Sequence, residues 1–174
     1  MPYIPVATVQ ASAGGGLYSG YAYYREQQTA GTDGGTFTSA AFRTRTLNTE
    51  VFDFGNIGTL ASNQVTLQAG TYYMEGYGPC ASTGTAMGRV VLKIVNVTDT
   101  ADVAVGPPIY VGSVTASFDT GTVSVCRGRV TIATAKAFEL QQRCETTVNT
   151  IGFGRAANFG VNEVYGELVI WKET

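Results

Sequence analysis

Along residues 65–75 the side chains alternate with a period of two: Val65, Leu67 and Ala69 against Thr66 and Gln68, then Tyr72 and Met74 against Tyr73 and Glu75. That period belongs to a strand, whose successive side chains point to opposite faces, and no stretch carries apolar residues at helical spacing over three turns. The alternation recurs in segments rich in Val, Ile, Thr, Tyr and Phe, which fit a pleated surface. The chain is therefore expected to be all-β. Residues 65–75 read as a hairpin turning at Ala69-Gly70. Residues 89–97 place Val90, Leu92 and Ile94 on one face and Val91, Lys93, Val95 and Val97 on the other, so both faces need cover. Further strands are expected at 21–28, 42–48, 110–118, 121–125, 129–134, 138–144 and 163–171, separated by glycine-rich connectors at 31–35, 76–84 and 152–160. About ten short strands with frequent turns fit an antiparallel jelly-roll sandwich.

At 174 residues the chain has the length of one domain. Residues 1–20 read as an N-terminal arm: Pro2 and Pro5 keep the start extended, and Gly14-Gly15-Gly16 is a hinge before the jelly-roll domain at 21–174. An initiating Met only 20 residues before the domain favours a stand-alone module. Extended, such an arm spans at most about 70 Å.

Charged residues make up 14% of the chain, against roughly 25% in a typical soluble domain, so Thr, Ser, Gly, Asn and Gln must cover much of the surface. Such a surface suits packing against other subunits. With a net charge of −2 and no cluster of Lys and Arg, nucleic acid is not an expected partner. No continuous apolar run reaches the roughly 18 residues of a membrane helix, and the start lacks a basic and apolar signal segment, so neither membrane insertion nor secretion is expected. The complete absence of histidine removes Ser-His-Asp and Cys-His nucleophiles and every His-containing zinc site. Cys80, Cys126 and Cys144 are spaced too widely for a Cys-x-x-Cys motif and read as buried thiols, with a Cys126 to Cys144 bridge the alternative. Asp99 and Asp102 lack the Gly and closing Glu of a calcium loop. Glu163 and Glu167, four apart on one strand face, would stand about 13 Å apart, too far for a glycosidase pair. No enzyme activity, metal or cofactor is expected.

The segment NQVTLQAGTYYMEG at 63–76 resembles a strand-turn-strand of the trimeric jelly rolls of the tumour necrosis factor and complement globular-head superfamily. RTRTLN at 43–48 and NEVYGELVIWKE at 162–173 resemble an early strand and the last strand of that superfamily. The run from Arg25 to Glu173 is also similar to a domain of bacteriophage and prophage virion proteins, through REQQTAGTDGGTFTSAAFRTRTLNTE, LASNQVTLQAGTYY, VNVTD, FELQQRC and GFGRAANFGVNEVYGELVIWKE. Two departures stand out: Gln142 takes the place of a His that often follows ELQ, and Met87-Gly88-Arg89 replaces a His-containing stretch. The resemblance implies a compact homotrimer in the virion, made in a bacterial host cytoplasm, serving as capsid decoration, head fibre or tail-fibre tip. The short arm favours a capsid decoration or cement protein whose partner is the major capsid protein or another virion protein. The alternative is a receptor-binding tip recognising a host surface glycan or protein.

Within that reading, Tyr3, Ile4 and Val6 are the capsid-docking residues of the arm. Tyr73, Val91, Val95, Val97, Tyr165 and Trp171 are candidates for the trimer interface, where aromatic anchors dominate, although parity alone leaves the inter-sheet core open as their place. Arg43, Arg45, Glu139 and Arg143 are candidates for an ion-pair network. Tyr77, Phe153, Asn158 and Phe159 are candidates for an apex loop that stacks sugar rings.

Overall fold

The computed structural model describes residues 16–113 and 119–174, and within them every regular element is a strand. In chain order these are β1 (Tyr18–Gln28), β2 (Arg43–Thr44), β3 (Thr49–Phe54), β4 (Gly58–Ala61), β5 (Gln64–Leu67), β6 (Gly70–Ser82), β7 (Gly88–Asn96), β8 (Ala101–Val105), β9 (Ile109–Val111), β10 (Thr120–Ile132), β11 (Lys136–Cys144) and β12 (Glu163–Glu173). They form two antiparallel sheets. A five-stranded sheet runs β10-β6-β12-β1-β3, and a seven-stranded sheet runs β4-β5-β11-β7-β8, with β2 added to β11 and β9 to β7. The protein is a jelly roll. The arm residues Tyr3, Ile4 and Val6 lie outside the described residues, as do 114–118 of the strand expected at 110–118. β1 already begins at Tyr18, inside the stretch assigned to the arm.

Period-two alternation becomes alternate burial. On β6, Tyr72, Met74 and Cys80 point inward with Gly76 and Gly78, while Tyr73, Glu75 and Tyr77 point out. Val65, Leu67, Leu92, Ile94, Phe138, Leu140, Leu168 and Ile170 complete the space between the sheets. Each such side chain contributes roughly 1.5–3 kcal/mol when fully buried. A smaller cluster around Phe37, Met87, Val90, Val111 and Val148 closes one end of the sandwich.

Three expectations are corrected. The 65–75 segment is not a hairpin: β5 pairs with β11 and β4, β6 pairs with β10 and β12, and Gln68-Ala69 is a corner between sheets. The alternation was real, but it fixes only which residues face inward, and a corner keeps both Leu67 and Tyr72 in the core. The strands expected at 121–125 and 129–134 are one strand, β10, because Gly128 sits within it where Val103 and Ala104 approach too closely for a side chain. Glu163 and Glu167 do not share a face. Where β1 meets β12 the register slips between Glu26 and Gln27, and the extra residue turns Glu163 inward while Glu167 points out.

An ionic cluster spans the core. Arg45 is 1% exposed and donates through Nε to Glu26 Oε2 at 2.7 Å, through Nη1 to Gln142 Oε1 at 2.9 Å, and through Nη2 to the carbonyls of Tyr165 at 2.5 Å and Phe153 at 3.2 Å. Its guanidinium lies 4.3 Å from the centroid of the Phe153 ring. Gln142 in turn donates to the Gly78 carbonyl at 3.0 Å and to Ser124 Oγ at 3.3 Å. Two glycines make the room: a Cβ on Gly78 would stand 3.1 Å from Gln142 Oε1, and one on Gly166 would stand 3.0 Å from Glu26 Oε2. Glu26 on β1 and Gln142 on β11 belong to different sheets, so Arg45 ties the two layers together. Burial pushes the Glu26 carboxyl up and Arg45 down, each against the pull of its partner.

Candidate interaction surface

The outer face of the five-stranded sheet is built by register. β3, β1, β12, β6 and β10 bring Phe54, Tyr21, Trp171, Tyr73 and Arg129 into one transverse row, and Phe52, Tyr23, Val169, Glu75 and Arg127 into the next. Each strand contributes alternate residues, so all of these point away from the core. Trp171 is the hub of the first row: its ring centroid lies 5.6 Å from Tyr21, 5.7 Å from Tyr73 and 6.3 Å from Tyr18. Tyr21 also meets Phe52 at 5.9 Å. At the edge, Phe52 and Phe54 are 51% and 64% exposed, which is a large uncovered apolar area for two neighbouring residues. From strand spacing and rise the face measures roughly 600 Å², close to the ~800 Å² per partner of an ordinary specific interface.

Polar groups on this face are already paired with one another. Arg127 Nε stands 3.0 Å from Glu75 Oε1, and the hydroxyls of Tyr77 and Tyr73 donate to the same carboxylate at 2.5 and 3.1 Å. Led by the Tyr77 bond, these partners hold the Glu75 carboxyl below its usual range. The Tyr23 hydroxyl donates to Glu167, whose carboxyl burial pushes up, and Arg25 Nε donates to that hydroxyl at 2.7 Å. Arg129 bonds Glu173 through two nitrogens, both at 2.7 Å. Such a face can be covered without stranding a charge.

Of the expected interface residues, Tyr73 and Trp171 lie together on this face. Val91 points outward from the other sheet, Val95 is closed off by β8 and only 6% exposed, and Val97 lies just past β7. Tyr165 faces inward at 3% exposure, its hydroxyl donating to the Thr32 carbonyl at 2.8 Å, because the β12 bulge shifts its parity. Tyr21, Tyr23, Phe52 and Phe54 were missed. Tyr21 and Tyr23 were visible as alternating aromatics in a strand, but only the register with β12 shows that they join Trp171.

The four expected ion-pair residues are not one network. Arg45 pairs with Glu26, which its distance in sequence concealed; Arg43 donates to the carbonyls of Thr38 and Ser39; and Glu139 accepts from Thr44, Gln64 and Gln141. Arg143 is exposed and forms no ion pair among the described residues. The expected apex residues are dispersed as well. Tyr77 belongs to the sheet face, Phe153 stacks on Phe37 at 4.3 Å inside the sandwich, and only Asn158 and the 85% exposed Phe159 stand at a loop tip.

That loop is held at its base by Glu163. The carboxylate accepts the backbone N–H groups of Asn158, Ala157 and Gly31 at 2.9, 3.1 and 3.1 Å, bonds that together hold its pKa below the usual range. A carboxylate with a depressed folded pKa stabilises above its unfolded pKa, and that contribution is lost as pH falls through the folded value. Glu163→Gln is therefore expected to speed amide hydrogen exchange at Gly31, Ala157 and Asn158 at neutral pH, with the difference from the parent chain shrinking on acidification. Equal exchange in both chains at neutral pH would remove the anchoring role.

All three thiols are free and buried, and burial pushes Cys80 and Cys126 up to about 12 and Cys144 to about 11, so none is a ready nucleophile. Asp99 and Asp102 pair with Lys136 and Lys93. Among the described residues no group of three or more Cys, Asp or Glu is arranged to hold a metal ion, and no helix is long and apolar enough to cross a membrane.

No family model matches the chain, and no curated protein matches it. Among solved structures, the PRD1 vertex protein P5 is similar with a TM-score of 0.52 and 8% identity, over 89% of this chain and 73% of that one. Murine APRIL at pH 8.0 aligns with a TM-score of 0.49 and 8% identity over 88% and 98% of the two chains. The globular domain of zebrafish complement 1qA aligns with a TM-score of 0.44 and 11% identity over 88% and 96%.

Proposed function

We propose that the chain is a non-enzymatic structural protein of a bacteriophage virion: a homotrimer that decorates the capsid, docks through Tyr3, Ile4 and Val6, and reinforces contacts between shell subunits. The observation that carries this reading is the aromatic row from Phe54 to Tyr73 with Trp171 at its centre, an outer face whose edge at Phe52 and Phe54 is largely exposed. Three copies meeting through that face bury their tyrosine and phenylalanine edges. The virion part of the reading rests on the sequence resemblance to phage virion domains, and the shared architecture with a vertex protein agrees with it.

A trimer docked by its first residues would have a direction. Tyr18 pairs with Glu173 at one end of the sheet, and Gln28 pairs with Glu163 at the other. β1 therefore begins at the end opposite the Phe159 loop. Docking through the first residues turns the former end toward the shell. A trimer bridging neighbouring shell subunits binds only the assembled lattice and so stabilises it by mass action.

Immunogold labelling of intact particles tests the location. Label spread over the icosahedral shell is expected. Label confined to the tail or its fibres would overturn the decoration role and make the chain a receptor-binding tip.

A further inference from the structure

The 11 Lys and Arg side chains have unequal fates. Eight of them form ion pairs with carboxylates. Arg43 bonds two backbone carbonyls, and Lys172 lies 5.9 Å from the centroid of the Tyr72 ring. Arg143 alone has no carboxylate, carbonyl or ring partner among the described residues, and it lines a cavity of about 510 Å³ on the outer face of the seven-stranded sheet. An unpaired guanidinium at the wall of a cavity in the size range of ligand sites, about 300–1,000 Å³, is the signature of a place for an anion.

The rest of the lining narrows the ligand. Val91, opposite Arg143 in the β11–β7 register, and Phe42 supply apolar surface. Ser39 adds a hydroxyl, itself within 3.1 Å of Thr147 Oγ1. The one carboxylate in the wall, Glu145, is taken by Arg89: Nη1 donates to Oε1 at 2.7 Å and the Arg89 backbone N–H to Oε2 at 2.8 Å. Those two charges cancel, and the Lys93 ammonium, 4.3 Å from the Phe42 ring centroid, is held by Asp102, so the positive charge left at the wall is that of Arg143 with Arg43, bonded only to carbonyls, beside it. A positive charge this small suits a carboxylate and does not suit a polyphosphate backbone.

The backbone here is also closed. β7 is flanked by β11 on one side and by β8 and β9 on the other, and β11 by β7 and, as far as Gln142, by β5 and β2, so little strand edge is left for an extended peptide to join. The occupant has to be a compact group with one apolar side, polar edges and one carboxylate.

We propose that this cavity binds a hexuronic acid unit of an acidic polysaccharide. Arg143 takes the carboxylate, Phe42 and Val91 lie under the C–H side of the pyranose ring, and the Ser39 hydroxyl meets a ring hydroxyl. The cavity and the aromatic row belong to different sheets, so assembly through the latter leaves the site open. The inference does not depend on where in a particle the protein sits.

Calorimetric titration of the full chain with trigalacturonate, the neutral sugar galactotriose and a triglutamate peptide tests it. Trigalacturonate is expected to bind, with galactotriose and triglutamate at least tenfold weaker. Arg143→Gln, at an exposed position that leaves melting unchanged, is expected to weaken trigalacturonate at least tenfold, and Phe42→Leu several-fold. Arg129→Gln, on the other sheet, is expected to leave it unchanged. No binding of trigalacturonate, equal binding of galactotriose, or full binding by Arg143→Gln would overturn the site. Triglutamate binding as tightly as trigalacturonate would overturn the saccharide and make the occupant an acidic protein segment.

Discussion

Replacing Arg45 with alanine is expected to cost about 3–5 kcal/mol of folding stability, because it leaves the Glu26 carboxylate buried without its counter-charge. The same change strips Gln142 Oε1 and the carbonyls of Tyr165 and Phe153 of their donor. For a domain of this size the melting temperature is expected to fall by roughly 6–20 °C. The Glu26→Leu/Arg45→Met double substitution is expected to regain more than about 1 kcal/mol over Arg45→Met alone, since it removes the orphaned charge along with its partner. Denaturant unfolding at one fixed protomer concentration reads both values, the fixed concentration being needed because assembly adds to apparent stability. A loss under about 1 kcal/mol for Arg45→Ala would show that the cluster does not clamp the sheets.

Trp171→Ala is expected to weaken assembly by about a hundredfold or more, the cost of removing a central aromatic anchor. In light scattering the parent chain is expected at the mass of three 18.3 kDa chains and the variant at one chain at the same micromolar concentration. Tyr21→Glu, which places a charge beside that ring, is expected to do the same. Val91→Ala on the opposite sheet is expected to leave the trimer whole. If Val91→Ala dissociates the assembly and Trp171→Ala does not, the interface lies on the seven-stranded sheet. A parent chain that stays monomeric would sink the assembly itself.

The period-two pattern was enough to read the fold class and to sort the residues of β6 and β7 into two faces, but on β7, apolar on both, it did not say which face looks inward. It was silent about partners. β5 and β6 looked like a hairpin because a corner between sheets and a turn within one use the same small residues, and only long-range pairing separates them. β3 was missed because its core-facing side is not apolar: its large residues, Val51, Phe52 and Phe54, are all exposed. The interaction face was half legible. Tyr73 and Trp171 stood out as aromatics in strands, but Tyr165 has the same appearance and is buried, as is the expected interface residue Val95. A β-bulge cannot be counted from one sequence, and a single extra residue was enough to turn Tyr165 and Glu163 inward. The Arg45–Glu26 pair joins residues whose contact depends on both sheets being in place, so no local spacing announced it.

The opposed ends of β1 and β12 make the domain a polar carrier. A peptide inserted between Phe159 and Gly160, beyond the Glu163 anchor and outside every strand, would be displayed on the end away from residue 16. The same peptide placed in the turn at Gly55-Asn56, where Phe54 meets Tyr21, would emerge at the end where β1 begins. One scaffold thus offers two addresses at opposite ends, chosen by the site of insertion alone.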